Sequence, residues 1–162
     1  MADNFHKVID HLIIAEGGYV NHIADTGGHT IYGVTKKNWD RYKGFKTSLA
    51  DFKRLTPSDV KKFYLDEYWN RCNCDALPDG VDYAVFDWAV HAGPYHPCVA
   101  IQKIVGTLPD GFIGSITLNA LNEYIRDFDN DQIAYQEVID CVFQKRREKL
   151  NGVNEIKKQY FM

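Results

Sequence analysis

The sequence predicts a mainly α-helical fold of the α+β kind, with about seven helices around one core and a small β-hairpin or loop element after the first helix. Three observations carry that expectation. Apolar residues recur at three- and four-residue spacing through most of the chain, start and stop signals bracket those stretches, and one Gly-rich stretch between Tyr19 and Thr35 breaks the helical period.

The first helix is drawn by Phe5, Val8, Ile9, Leu12 and Ile13 on one stripe and is stopped by Gly17-Gly18. After the β element, helical segments run near Thr35 to Tyr42, ending at Gly44, and over Ser48 to Arg54. Thr56 as N-cap, Pro57 at the first helical position and Asp59 in the first turn start a helix that extends to about Arg71. Leu77-Pro78-Asp79-Gly80 is a turn, and the next helix holds Val81, Ala84, Val85, Trp88 and Ala89 before Gly93-Pro94 stops it. Further helices are expected over Pro97 to Val105, from Ser115 as its cap to Tyr124, and from Asn130 to Leu150, before a polar tail.

No repeat, low-complexity tract or linker interrupts the 162 residues, so a single domain is expected over 1–162, with an N-terminal region to residue 75 and a helical C-terminal region over 76–162. The net charge of -3 supplies no basic footprint, so no nucleic-acid partner is expected. Lys145-Arg146-Arg147 and Lys157-Lys158 are read as the solvated end of a helix. The start, Met1 to Lys7, has no secretory pattern, and no apolar run approaches bilayer length, so synthesis in the cytoplasm without membrane insertion is expected. Cys72, Cys74, Cys98 and Cys141 lack the paired spacing of a zinc site; no metal is expected, and they are read as free, partly buried thiols, although Cys72 or Cys74 could pair with Cys98 or Cys141 after export.

Chemistry concentrates near the first helix end. Glu16 falls three residues after Ile13 and four after Leu12, so it continues the apolar stripe, at the helix C-terminus. Partial burial and the negative end of the helix dipole both favour a protonated carboxyl, as a general acid requires. Asp25 follows with eight residues between, across a stretch that the glycines allow to fold back. Two carboxyls facing across a groove are the minimum for glycosidic hydrolysis: one protonates the leaving oxygen, and the other activates water or supports the oxocarbenium-like centre. Thr30 is a candidate for orienting that water. Tyr19, Tyr32, Trp69 and Trp88 are candidates for stacking on pyranose rings, Tyr19 first because the glycine turn holds it near Glu16; Asp87 is a candidate for orienting a neighbour in the groove.

The runs Glu16-Gly17-Gly18-Tyr19-Val20-Asn21, Ala24-Asp25-Thr26-Gly27-Gly28 and Thr30-Ile31-Tyr32-Gly33-Val34-Thr35 resemble the N-terminal signature of glycoside hydrolase family 108, N-acetylmuramidases found among phage endolysins and bacterial secretion-associated lysins. Tyr83 to Val90 and Asp110-Gly111-Phe112-Ile113-Gly114 resemble that family's companion peptidoglycan-binding region. The resemblance implies a lysozyme-like fold, Glu16 as the essential acid, cleavage of the β-1,4 bond between N-acetylmuramic acid and N-acetylglucosamine, no cofactor, and bacterial peptidoglycan as partner of a monomer that acts on the cell wall after release.

The Glu16–Asp25 spacing is also similar to the Glu-Asp-Thr arrangement of phage-type lysozymes, with Thr30 one residue early. Thr26 replaces the family's usual Pro, His91 its usual Asn, and the chain stops at Phe161-Met162 without the Trp-containing tail of many relatives. His91, if it lines the groove, makes hydrogen bonding there sensitive to pH. Two other readings remain: a lytic transglycosylase, which needs the Glu but no base and yields 1,6-anhydro ends, and a non-catalytic wall-binding or secretion-helper module.

Overall fold

The computed structural model describes residues 2–22 and 28–160, with side chains described over 4–14, 17–20 and 28–151. The expected mainly α fold is present: eight α-helices and a three-stranded antiparallel sheet stand among the described residues. The chain divides into two compact units, Met1–Glu67 and Tyr68–Met162, whereas the sequence suggested one core and a regional division after residue 75.

In the first unit, α1 (Ala2–Glu16) buries Phe5, Ile9 and Ile13, a stripe at four-residue spacing, and packs on α4 (Pro57–Tyr64). An ion pair of Lys61 with Asp10 joins the two helices. Gly17, at φ +69°, ends α1 and donates its N–H to the Ile13 carbonyl at 3.2 Å. Strands β1 (Tyr19–His22), β2 (Gly28–Ile31) and β3 (Val34–Thr35) follow in that order across the sheet. The β2–β3 connection is a two-residue turn of Tyr32 and Gly33, at φ +47° and +78°, the signature of a type I′ hairpin.

Thr35 closes β3 and caps α2 (Lys36–Lys43), its hydroxyl accepting from the Asn38 N–H at 3.2 Å, and Gly44 ends that helix in the left-handed region. A short α3 (Leu49–Lys53) is capped by Ser48 and buries Phe52 completely. Removing such a phenyl ring from water contributes about 1.5–3 kcal/mol. Thr56 and Asp59 form the reciprocal capping box of α4, with Pro57 in its first turn. Trp39, Tyr42, Phe63 and Tyr64 make the aromatic part of this core, with Tyr42 edge-on to Phe63 at 5.2 Å.

The helix expected to run from Thr56 to Arg71 is regular only to Tyr64; it widens into a π turn over Leu65–Trp69 and tightens into 3-10 turns at Asn70–Cys72 and Cys74–Ala76. Asn73 separates those tight turns at φ +52° and donates from its side-chain amide to the Ile113 carbonyl at 3.1 Å.

The second unit is built on α5 (Val81–Ala92), which packs on both α6 (Tyr95–Ile104) and α8 (Asp131–Tyr160). Its buried face holds Val81, Ala84, Val85, Phe86, Trp88 and Ala89. Helix α7 (Ser115–Arg126) packs on α6 and α8, and its N-cap is Gly114 rather than the expected Ser115, whose side chain makes no cap. Helix α8 continues past the expected end at Leu150 to Tyr160, so Lys145-Arg146-Arg147 sits inside a helix rather than at its end.

Gln102, 1% exposed, clamps the loop before α7: its amide donates to Asp110 Oδ1 at 2.6 Å and to the Phe112 carbonyl at 3.1 Å, and its Oε1 accepts the Gly111 N–H at 2.8 Å. Gly111, at φ +83°, lies against Tyr95, whose ring would be 2.3 Å from any added Cβ. All four cysteines are free and belong to this unit; Cys72, Cys74 and Cys98 are buried, and Cys141 is half-buried. The Pro94 carbonyl receives both the Cys98 N–H at 3.4 Å and the Cys72 thiol at 3.9 Å.

Candidate active site

The C-terminus of α1 is tied to the sheet by backbone. Glu16 is the last residue of α1, one turn beyond buried Ile13, and its side chain lies outside the described residues. Directly after it, the Gly17 carbonyl accepts the Tyr32 N–H at 3.1 Å, and the Tyr32 carbonyl accepts the Tyr64 hydroxyl at 3.1 Å. The two bonds join the residue after Glu16 to the β-turn and the turn to α4. They also hold Tyr32 in a conformation that costs a bulky residue about 1–2 kcal/mol.

Strand register decides which candidates share a face. Tyr19 pairs with Ile31 and Asn21 with His29, so Tyr19, His29 and Ile31 lie on one face; Val20 pairs with Thr30, and Thr30 with Thr35, on the other. Tyr19 and Thr30, expected around one groove, therefore lie on opposite faces of the sheet. Buried Ile31 and Val34 mark the Tyr19 face as the one turned to the core. Tyr19 is half-buried, its hydroxyl 2.6 Å from His29 Nδ1, its ring stacked on His29 at 5.9 Å, and the Lys53 ammonium 4.7 Å from the ring centre. Asp25 lies outside the described residues.

His29 and Lys53 form this aromatic and cationic cluster with Tyr19, and the sequence reading passed over both. The signal for His29 was its place two residues before apolar Ile31 in β2, which puts it on the same face; Lys53, in a separate helix, carried no local signal.

The remaining candidates belong to the second unit. Trp69 is fully buried, with its indole N–H donated to Asp75 Oδ1 at 2.9 Å and its ring edge-on to Phe86 at 5.5 Å. This corrects the expectation of a sugar platform: both faces are occupied by core. Trp88 is 4% exposed, too covered to stack on a pyranose, although it contributes to the floor of a small cavity. Asp87 is ion-paired with Arg146 of α8, and His91, largely exposed, donates from Nδ1 to the Asp87 carbonyl at 2.7 Å. Asp87 thus holds α5 to α8.

Among the described residues no cluster of three or more His, Cys, Asp or Glu is placed to hold a metal ion, and no helix is long and apolar enough to cross a membrane.

Comparison with known proteins adds three findings. No curated protein is significantly similar to the chain. Among solved structures, that described as the structure of Brucella abortus SagA is 36% identical, with a TM-score of 0.79 over 94% of this chain and 82% of that one. The sequence profile of glycosyl hydrolase 108 matches residues 9–93, from α1 through the glycine that ends α5. With more than half of its length inside that match, and a SagA-like structure over nearly all of it, the chain belongs to glycosyl hydrolase family 108.

Proposed function

We propose that this protein is an N-acetylmuramidase that hydrolyses the β-1,4 bond between N-acetylmuramic acid and N-acetylglucosamine in bacterial peptidoglycan, with Glu16 as general acid. The observation that carries the reading is the position of Glu16: it closes α1 within the family-matched segment, next to the Gly17–Tyr32 bond that fixes the helix end. A carboxyl at the C-terminus of a helix faces the negative end of the dipole, which favours the protonated form that a leaving oxygen needs. Asp25 is the partner that activates water or supports the positive centre, and Thr30 orients that water. Tyr32, whose N–H is bonded to the Gly17 carbonyl, offers a ring beside the acid.

The carboxyl separation decides stereochemistry, about 5 Å giving retention and roughly 6.5–9.5 Å inversion. The test is mass spectrometry of peptidoglycan digested by the wild type and by Glu16→Gln and Asp25→Ala. Reducing muramic acid ends from the wild type, with none from a folded Glu16→Gln, are the expected result. Retained cleavage in Glu16→Gln overturns the assignment, and 1,6-anhydro ends with activity surviving Asp25→Ala convert it to a lytic transglycosylase.

A further inference from the structure

A cavity of about 280 Å³ opens in the second unit between α6 and α8, over Trp88 of α5. Helix α6 contributes His96, Val99, Ala100 and Lys103, at offsets of three, four and seven residues, which is one face of a helix. Helix α8 contributes Lys145, Glu148 and Lys149, again three and four residues apart. The walls therefore hold three ammonium groups and one carboxylate. Lys145 is paired with Glu148 at 3.1 Å, which leaves the charges of Lys103 and Lys149 uncompensated within the cavity.

That excess is notable in a chain whose net charge is -3. Lys103, in the last turn of α6, is accounted for by the helix dipole, but Lys145 and Lys149 stand mid-helix in α8, where no dipole end calls for them. Burial disfavours the charge on Lys149, and burial together with the Lys149 charge holds His96 below its usual range. Lys149, partly desolvated and without a carboxylate of its own in the cavity, keeps its charge at a cost that a bound anion offsets, and Lys103 stands exposed on the facing wall.

We propose that this cavity binds a carboxylate of the peptide stem of peptidoglycan, with Lys103, Lys149 and Lys145 around the anion and Trp88 beneath its aliphatic part. The inference rests on peptidoglycan being the substrate. A cavity of this size, near the lower end for ligand sites, takes one short acidic side chain or chain terminus rather than a sugar.

The experiment is a titration of 15N-labelled wild-type protein with a soluble disaccharide-tetrapeptide, the same disaccharide without peptide, and inorganic phosphate. The tetrapeptide fragment should shift the Trp88 indole and the Val99 amide saturably, weaken at least tenfold between roughly 50 and roughly 500 mM salt, and weaken at least tenfold in Lys103→Gln/Lys149→Gln. Glu148→Gln releases Lys145 and should tighten binding several-fold, a gain that misfolding does not produce. Equal binding of the peptide-free disaccharide, equal binding of phosphate, or unchanged binding by the double lysine variant overturns the proposal. Turnover is not read, so failure here leaves the Glu16 test standing, and failure of that test leaves these shifts interpretable.

Discussion

Replacing Gln102 with Met keeps the volume of a side chain that is 1% exposed and removes its hydrogen bonds. The Gly111 N–H and the Phe112 carbonyl lose their Gln102 partner, and Asp110 loses the amide that donates to it at 2.6 Å. A buried polar group left without a partner costs about 1–3 kcal/mol; the loop edge admits water, so two such groups together cost roughly 2–4 kcal/mol. For a chain of this length that lowers Tm by roughly 5–15 °C. Thermal unfolding measures the total, and hydrogen exchange at the Gly111 amide locates it. The Asp110 carboxyl, held low first by the Gln102 amide and then by the Phe112 N–H, should titrate at higher pH in the variant. A Tm within about 2 °C of wild type, with Gly111 exchange unchanged, would refute the clamp.

Other outcomes follow from the first unit and the α5–α8 contact. Tyr42 is pushed up to about 12 by burial and then by its hydrogen bond to Asp66, while Asp66 is held below its usual range first by that same hydroxyl. The tyrosine's contribution is full below its unfolded value near 10 and lost as pH rises through its folded value; the carboxylate's is full above its unfolded value near 4 and lost as pH falls through its folded value. Urea unfolding against pH should therefore fall on both flanks, and Tyr42→Phe should flatten the alkaline one. Gly17→Ala adds a Cβ that meets nothing within 4 Å but sits at φ +69°, so stability falls by about 1–2 kcal/mol while wall clearing falls further, because Glu16 is its neighbour. Arg146→Met leaves Asp87 without its ion pair and should cost about 1–2 kcal/mol by urea unfolding, the partial exposure of both groups moderating the loss.

Local signals were the legible part of the fold. Thr56, Pro57 and Asp59 announced a capping box that the structure contains, and Gly17 and Gly44 ended the helices they were expected to end. Ser115 looked equally good as a cap and is not one, because Gly114 occupies the position just before α7. The π turn at Leu65–Trp69 had no sequence mark, since hydrogen-bond offset within a helical run is set by packing rather than by residue type. Aromatic side chains were the least legible: Trp69 and Tyr19 are both flat and polar-tipped, and only tertiary packing makes one core and leaves the other half-exposed. The family signature was legible because contiguous residues carry it. The cavity lined by Lys103 and Lys149 was not, because it needs two helices far apart in sequence to face each other.

The cysteines give the protein a built-in clock. The Cys72 and Cys98 thiols are raised well above their ordinary range, Cys72 first by hydrogen bonding with Cys74 and Cys98 first by hydrogen bonding with Cys72, with burial adding to both. Thiolate is the reactive form, so an alkylating reagent finds almost none there until the second unit opens. Cys141, half-buried, should react first and mark the native state, while the later uptake of label reports the opening rate of Tyr68–Met162 alone, since no cysteine lies in Met1–Glu67. One labelling time course thus reads the lifetime of that unit by itself, without any introduced cysteine.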